Sequence, residues 1–170
     1  MAIRIRPAAH AEIEQAADVL EDAIGWAAER GFESWTPGSF RDPGAWGKGR
    51  LREAFDAGGL FLIERSGAIV GTLSLLPDDE LFWPGAAPNG LYLHRFAIRR
   101  GTSGTGVGDA ALAWCEEETR RRRRRFLRLD CLAANPGIRR YYERAGFEHR
   151  GDRVVNGMEF GLYEKDVGRS

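Results

Sequence analysis

The stretch Arg99-Arg100-Gly101-Thr102-Ser103-Gly104-Thr105-Gly106-Val107-Gly108-Asp109 joins an apolar, strand-like run to a helix-like run. Its alternating glycines allow tight backbone turns and a close ligand approach that a Cβ would block. The first N–H groups of the helix that follows have no partner within the helix. Together these features predict an anion site, most naturally for phosphate. Glycines alone fit equally well a tight strand-to-helix turn that binds nothing.

The composition indicates one globular domain, residues 1–170, that is large enough for a full hydrophobic core. The formal net charge of +0 gives no overall attraction to nucleic acid or to a membrane surface. Cys115 and Cys131 lack the spacing of a disulfide framework or a metal site, which is typical of a reducing, cytoplasmic environment. No apolar run approaches the ~20 residues of a membrane span, and the N-terminus lacks a signal-peptide core.

Apolar periodicity and turn residues divide the chain into strands and intervening helices. Strands are predicted at residues 2–6, 60–65, 68–76, 90–98, 126–132, 147–152 and 158–164. Helices are predicted from residue 12 to residue 31 and at residues 50–57, 109–123 and 135–146, with irregular segments at 32–49 and 77–89. This alternation predicts an α/β fold with a mixed (α+β) sheet that carries helices on its faces.

The glycine turn fits two well-known phosphate motifs poorly. A Walker loop requires Lys after its last glycine, and a dinucleotide fingerprint requires glycine at position 109, whereas that residue is Asp109. The run from Ser103 to Gly108 instead resembles the Arg/Gln-x-x-Gly-x-Gly/Ala signature of the GNAT superfamily of acyl-CoA-dependent N-acyltransferases. Ser103 replaces the usual Arg or Gln, so one side-chain contact is lost while the backbone cradle is unaffected.

A second stretch strengthens the resemblance. Residues 135–147, Asn-Pro-Gly-Ile-Arg-Arg-Tyr-Tyr-Glu-Arg-Ala-Gly-Phe, are similar to the Asn…Tyr-Glu-Lys-x-Gly-Phe helix of that superfamily. The resemblance covers nearly the whole chain and implies the GNAT fold, a mostly antiparallel central sheet with a splayed strand pair flanked by helices. It also implies an N-acetyltransferase that moves an acetyl group from acetyl-CoA to a primary amine by direct attack in a ternary complex.

The resemblance implies a set of residues that bind acetyl-CoA. The pantetheine arm would lie along the central strand beside a bulge, and the pyrophosphate would meet the N–H groups of the glycine turn. An asparagine and a tyrosine would contact the CoA arm and its sulfur. The implied set is Phe96, Ala97, Ile98, Ser103, Gly104, Thr105, Gly106, Val107, Gly108, Asp109, Asn135 and Tyr142.

Two proton transfers define the candidate catalytic residues. The thiolate that leaves belongs to a thiol with a pKa of ~8.5. By the resemblance, Tyr142 matches the tyrosine of the family signature and is the candidate general acid. Its alternative role is an aromatic packed on the sheet. The amine, of pKa ~10.4, must lose a proton, and His94, two residues before the implied bulge, is the candidate base. Asp130 on the next strand would meet His94 and is the second candidate base, although it is better suited to orienting the amine or His94 than to acting alone. Deprotonation through ordered water stays open, and the alternative role of His94 is a hydrogen-bonded structural residue.

The acceptor side is predicted from aromatic residues. The tryptophans expected to wall it are Trp26, Trp35 and Trp83. Such a wall suits a small or partly apolar amine, although core packing explains each ring equally well. A small polyamine or drug, an amino acid, a peptide N-terminus and a protein lysine all remain open as acceptors. The loop acids at 78–80 are expected to be solvated, and the resemblance is compatible with a homodimer.

The arginine run at residues 120–125 raises a nucleic-acid hypothesis. Glutamates at 116–118 lie four residues before its first arginines, a spacing that favours helix ion pairs. Aromatic residues for base stacking are absent from the run, so we expect a self-paired, solvated face and no nucleic-acid partner. The other alternative is a non-catalytic acyl-CoA-binding regulatory domain. It would keep the glycine cradle and Asn135, whereas Tyr142 and His94 favour an enzyme.

Overall fold

The computed structural model describes residues 2–32 and 35–168 and divides into two compact units. The first comprises Met1–Leu75 and Arg95–Leu112, and the second comprises Leu76–His94 and Ala113–Ser170. The strands are β1 (Ile3–Pro7), β2 (Leu60–Arg65), β3 (Ala68–Leu76), β4 (Gly90–Ile98), β5 (Phe126–Leu132), β6 (Glu148–Val155) and β7 (Met158–Asp166). The helices are α1 (Ile13–Ala28), α2 (Trp46–Asp56), α3 (Val107–Arg121) and α4 (Pro136–Arg144), with 3-10 turns at His10–Glu12 and Arg100–Thr102.

Strand pairing within each unit is mostly antiparallel. In the first unit β2 pairs antiparallel with β1 on one side and with β3 on the other. In the second unit β5 pairs parallel with β4 and antiparallel with β7, which pairs antiparallel with β6. The predicted α/β class, a mostly antiparallel sheet with flanking helices, is therefore confirmed. The prediction of one domain over residues 1–170 stays a prediction.

The parallel pair of β4 and β5 separates part-way along its length. Its register runs from Gly90 opposite Phe126 to Leu93 opposite Leu129 and ends there, although β5 continues to Leu132. Arg95 follows with a φ of +47°, a left-handed conformation that interrupts a regular ladder. The splayed pair is thus confirmed, and the irregular residue comes one position after His94 rather than two.

Apolar strand faces form the core of each unit. In the first unit Leu62, Ile63 and Leu73 are fully buried, and α2 contacts both α1 and β2. In the second unit Leu127 and Leu129 are buried on β5, against which α4 packs. Full burial of each such side chain contributes roughly 1.5–3 kcal/mol. None of the described helices is both long and apolar enough to cross a membrane.

Two helices begin earlier than the sequence predicts. Helix α3 starts at Val107 rather than at residue 109, and α2 starts at Trp46 rather than at residue 50. The early start of α2 includes Gly47, which the sequence pattern assigned to an irregular segment. A Cβ at Gly47 would lie 2.6 Å from the carbonyl oxygen of Ser39 and 3.1 Å from the Trp35 ring. This glycine is therefore a close-packing residue and not a helix breaker.

Candidate active site

The glycine turn lies in the first unit and has the backbone geometry of a cradle. Gly104 has a φ of +75° and Gly106 a φ of +81°, conformations that favour glycine. A Cβ built on either residue would meet no atom within 4 Å, so the space beside the turn is open. The N–H of Ala110 donates to the carbonyl of Gly106 at 3.1 Å. The N–H groups of residues 107–109 precede this first helical bond and point out of the helix start.

Neighbouring side chains of the first unit fix this turn. Thr105 Oγ1 donates to the carbonyl oxygen of Thr102 at 2.6 Å, and the guanidinium of Arg65 donates to Thr105 Oγ1 at 3.3 Å. Arg100 pairs with Glu29, and its N–H donates to Asp22 at 3.0 Å. The turn is thus held in place and has a cation, Arg65, beside it. The sequence alone did not indicate Arg65, because it is 40 residues from Thr105.

The C-terminal part of β4 carries the residues predicted to border the pantetheine arm. Ala97 is buried, whereas Phe96 and Ile98 are half-buried. A Cβ at Gly71 would lie 2.8 Å from Ile98 Cδ1 and 2.9 Å from the carbonyl oxygen of Ala97. Glycine at position 71 thus permits the close approach of the β4 backbone in this unit.

The second unit brings three ionisable side chains together where β4 and β5 separate. His94 Nε2 lies 3.1 Å from Asp79 Oδ2, and His94 Nδ1 lies 3.5 Å from Asp130 Oδ2. The side chains are 12%, 3% and 13% exposed for His94, Asp79 and Asp130 respectively. The predicted meeting of His94 and Asp130 is confirmed. Asp79 is an additional member that the sequence did not indicate.

Asp79 is buried, so the prediction that the acids at 78–80 are all solvated is wrong at this position. Its Oδ1 accepts the N–H of Phe82 at 3.0 Å, and its carbonyl accepts the N–H of Trp83 at 2.9 Å. Burial alone would raise the pKa of this carboxyl, but His94 and the N–H groups of Phe82 and Leu81 lower it below its usual range.

The three side chains can hold a proton or a cation. One ring nitrogen and one oxygen from each carboxylate lie within 4.8 Å of one another, so these described residues could hold a metal ion. The two carboxylates, however, face different nitrogens of the same ring. A ring that faces a carboxylate at each nitrogen is suited to accepting and releasing a proton at one of them. The arrangement therefore favours proton transfer.

Aromatic rings border this cluster. The Phe82 ring lies 6.3 Å from the His94 ring and packs edge-on against Phe160 at 5.1 Å. Trp83 is directed elsewhere, with its ring 6.3 Å from that of Tyr92. Of the adjacent pair at 82 and 83, Phe82 is therefore the residue beside His94. The acceptor-binding role of Trp83 stays a prediction.

The other two predicted tryptophans lie in the first unit and pack against its own side chains. The Trp35 ring lies 4.8 Å from Phe40 and 5.5 Å from Trp46. The guanidinium of Arg30 lies 4.0 Å above the Trp26 ring. These contacts give both rings a packing role in the unit, and their contact with an acceptor stays a prediction.

Helix α4 contains most of the second signature, residues 135–147. Asn135 accepts the N–H of Ile138 at 3.1 Å and Pro136 occupies the first turn, which confirms the predicted cap. Tyr142 is 6% exposed and lies 5.3 Å from the Tyr141 ring and 5.7 Å from the Phe147 ring. Burial raises the pKa of the Tyr142 hydroxyl. This tyrosine is protonated at neutral pH, as a general acid must be.

A buried arginine ties the end of the loop at 77–89 to the sheet. Arg128 on β5 is 6% exposed and donates to Glu164 at 2.8 Å and to Tyr92 Oη at 2.8 Å. It also donates to the Ala87 carbonyl at 3.2 Å and to Asn89 Oδ1 at 3.0 Å. The loop that carries Asp79 is therefore fixed at its C-terminal end.

The first arginines of the run at residues 120–125 form ion pairs with nearby glutamates. Arg120 lies 3.6 Å from Glu116 and 3.0 Å from Glu117, and Arg122 lies 2.6 Å from Glu118. The predicted self-paired face is confirmed there. Arg121 differs, because it pairs with Glu118 at 2.7 Å instead of with the residue four positions before it.

Residues 20–147 match the sequence model of the acetyltransferase (GNAT) family. The chain belongs to the GNAT family. As a GNAT protein it is an acyltransferase, which confirms the expectation from the two signatures. Its curated relatives include "Uncharacterized N-acetyltransferase YesJ" of Bacillus subtilis, which is 25% identical over 166 residues that cover 95% of this chain and 88% of the relative.

Solved GNAT structures have the same fold. An acetyltransferase of the GNAT family from Listeria monocytogenes is 25% identical, with 96% of this chain and 94% of that chain covered and a TM-score of 0.75. Another from Streptococcus agalactiae is 18% identical, with 96% and 95% covered and a TM-score of 0.78. The GNAT fold predicted from the resemblance is therefore confirmed.

Proposed function

We propose that this GNAT protein transfers an acetyl group from acetyl-CoA to the primary amine of a small acceptor by direct attack in a ternary complex. The observation that carries the proposal is the placement of His94 between Asp79 and Asp130 at the point where β4 and β5 separate. An amine is a nucleophile only after it has lost its extra proton, and a buried imidazole between carboxylates is suited to remove it.

The glycine turn fits the pyrophosphate of CoA. Left-handed Gly104 and Gly106 leave space where a side chain would stand, and the helix start supplies N–H donors to an anion. Arg65, beside Thr105, adds positive charge. We assign the pyrophosphate to the N–H groups of residues 104–109 and the pantetheine arm to residues 96–98. Acetyl-CoA would supply the activated acetyl thioester.

Binding of CoA is expected to stabilise the protein against thermal unfolding. At a hundredfold excess over Kd the stabilisation is about 2.7 kcal/mol, because CoA binds the folded state alone. Gly106→Ala should reduce this shift, since the added methyl group would stand in the open space that we assign to the pyrophosphate. Gly101→Ala is the matched control, because its Cβ also meets open space but Gly101 is not left-handed. Equal CoA shifts in the two variants would contradict the assignment. Differential scanning fluorimetry measures both.

In the second unit each candidate side chain has a separate task. His94 takes a proton from the acceptor ammonium, and Asp130 orients that ammonium beside the ring. Asp130 and an ordered water are the alternative bases. Asn135 keeps its side-chain NH2 for the CoA arm, since its oxygen caps α4. Tyr142 gives its hydroxyl proton to the leaving thiolate.

Tyr142→Phe is expected to lower kcat by about 10²-fold, within the usual contribution of a general acid. The Kd for CoA should change less than threefold, because the ring and its packing remain. Steady-state kinetics and fluorimetry with CoA separate the two quantities. Tyr141→Phe, one residue away, is the control and should keep its kcat. An unchanged kcat in Tyr142→Phe would leave this tyrosine with a packing role only.

An amine panel that follows release of free CoA thiol tests the activity and identifies the acceptor. The panel should contain polyamines, aminoalkyl drugs, amino acids, peptides with a free N-terminus and peptides with lysine. Turnover of any amine supports the proposal. CoA binding without turnover of any of them would instead indicate a regulatory acyl-CoA-binding domain. A cytoplasmic location and a homodimer, both expected from the sequence, stay predictions.

A further inference from the structure

The two carboxylate oxygens of Asp79 have different neighbours. Oδ1 accepts the N–H of Phe82 at 3.0 Å, whereas Oδ2 lies 3.1 Å from His94 Nε2. Its side chain is 3% exposed, so water does not compete for either oxygen. The carboxylate is therefore fixed by its own loop and presents one oxygen to the ring of His94.

The two sides of the His94 ring are not equivalent. Nε2 lies 3.1 Å from Asp79 Oδ2 and Nδ1 lies 3.5 Å from Asp130 Oδ2, so Asp79 is the nearer carboxylate. A neutral imidazole carries one N–H and one lone pair. The nearer negative charge favours the ring form with the N–H on Nε2 and the lone pair on Nδ1.

We propose that Asp79 is a positioning residue that holds the Nε2 proton of His94, so that Nδ1 is the atom that deprotonates the acceptor. Because this role presupposes the acetyl transfer proposed above, the acceptor ammonium is the proton source. Its N–H bond breaks, the electron pair stays on the amine nitrogen, and a new N–H bond forms at Nδ1. The resulting positive ring lies between Asp79 and Asp130, and no bond to Asp79 is made or broken.

Two carboxylates of the second unit place negative charge beside the His94 ring. Among the described residues of that unit, the charged groups that face His94 are Asp79 from the loop and Asp130 from β5. The Phe82 ring adds an apolar neighbour at 6.3 Å. A positive ring is thus compensated on two sides, whereas a neutral ring is oriented mainly by the shorter contact with Asp79.

Asp79→Asn reverses the ring tautomer in this scheme. The carboxamide oxygen keeps the N–H of Phe82, and the new NH2 group donates to Nε2, which must then carry the lone pair. Nδ1 becomes an N–H and no longer accepts a proton, as in other enzymes where an oriented histidine loses its carboxylate. We expect kcat to fall about 10²-fold or more, with the KM for acetyl-CoA unchanged. Asp78→Asn, at an exposed position in the same loop, is the matched control and should keep its kcat.

A readout that does not depend on turnover separates this role from the proposed function. Nitrogen-15 NMR of the His94 ring, at a pH where the ring is neutral, should find the proton on Nε2 in the wild-type protein and on Nδ1 in Asp79→Asn. A wild-type proton on Nδ1 would overturn the role of Asp79 even if the variant fails to fold. Wild-type protein that turns over no amine would overturn the proposed function, while the tautomer would still show whether Asp79 places the proton of the His94 ring on Nε2. An unchanged kcat and tautomer in a folded Asp79→Asn would overturn the positioning role alone.

Discussion

Replacing His94 with glutamine is expected to lower kcat/KM for the amine by about 10²- to 10⁴-fold, the usual contribution of a positioned general base. Glutamine can still donate to the buried Asp79 carboxylate, but it has no group that accepts a proton near neutral pH. Steady-state kinetics at a saturating concentration of acetyl-CoA measure the change.

His149→Gln is the matched control for that experiment. His149 also faces a carboxylate, with its Nε2 2.8 Å from Asp152 Oδ1, but its side chain is 37% exposed and lies on β6. Its substitution should leave kcat/KM within about twofold of the wild-type value, as surface changes away from a site generally do. If His94→Gln is equally mild, then Asp130 or an ordered water removes the proton.

Replacing Arg128 with methionine is expected to lower the free energy of unfolding by about 3 kcal/mol, the lower end of the cost of breaking a buried pair. The substitution leaves Glu164, with an 11% exposed side chain, without its closest cation, while Arg150 stays at 3.3 Å. It also removes the donor to Tyr92 and the ties to the loop at 77–89. Chemical denaturation measures the difference.

Arg125→Met provides the comparison, at a residue directly before β5. Arg125 pairs with Asp166 at 2.8 Å, but its side chain is 49% exposed, and exposed pairs of this kind contribute 0–1 kcal/mol, typically about 0.5. A loss in Arg128→Met no larger than that in Arg125→Met would show that the buried network does not hold the loop. Fluorescence of Trp83, which Arg128 contacts, reports on the loop directly.

Much of the fold was predictable because it rests on local signals. Alternating apolar residues located all seven strands, and the Asn135-Pro136 start of α4 was read from cap chemistry. The meeting of His94 and Asp130 was also predictable. Both residues come directly after the last paired positions of two parallel strands, Leu93 and Leu129, so their side chains are neighbours by register.

Two parts of the candidate site were not predictable because they depend on distant segments. Asp79 belongs to a run of three loop acids, and nothing in that run distinguishes the one that turns inward. The partners of Arg128 lie 36 to 41 residues away along the chain. An arginine within an apolar strand signals a buried partner but does not identify it.

The loop at 77–89 has anchors near both ends and an exposed middle, which matters for protein engineering. Asp79 fixes its beginning through Phe82, and Arg128 fixes its end at Ala87 and Asn89. Pro84 and Gly85 between these anchors are exposed. Gly85 has a φ of +67°, which favours glycine. Randomised libraries confined to Pro84 should therefore vary the rim of the proposed acceptor side, while the anchored ends keep the imidazole and its neighbouring carboxylate in place.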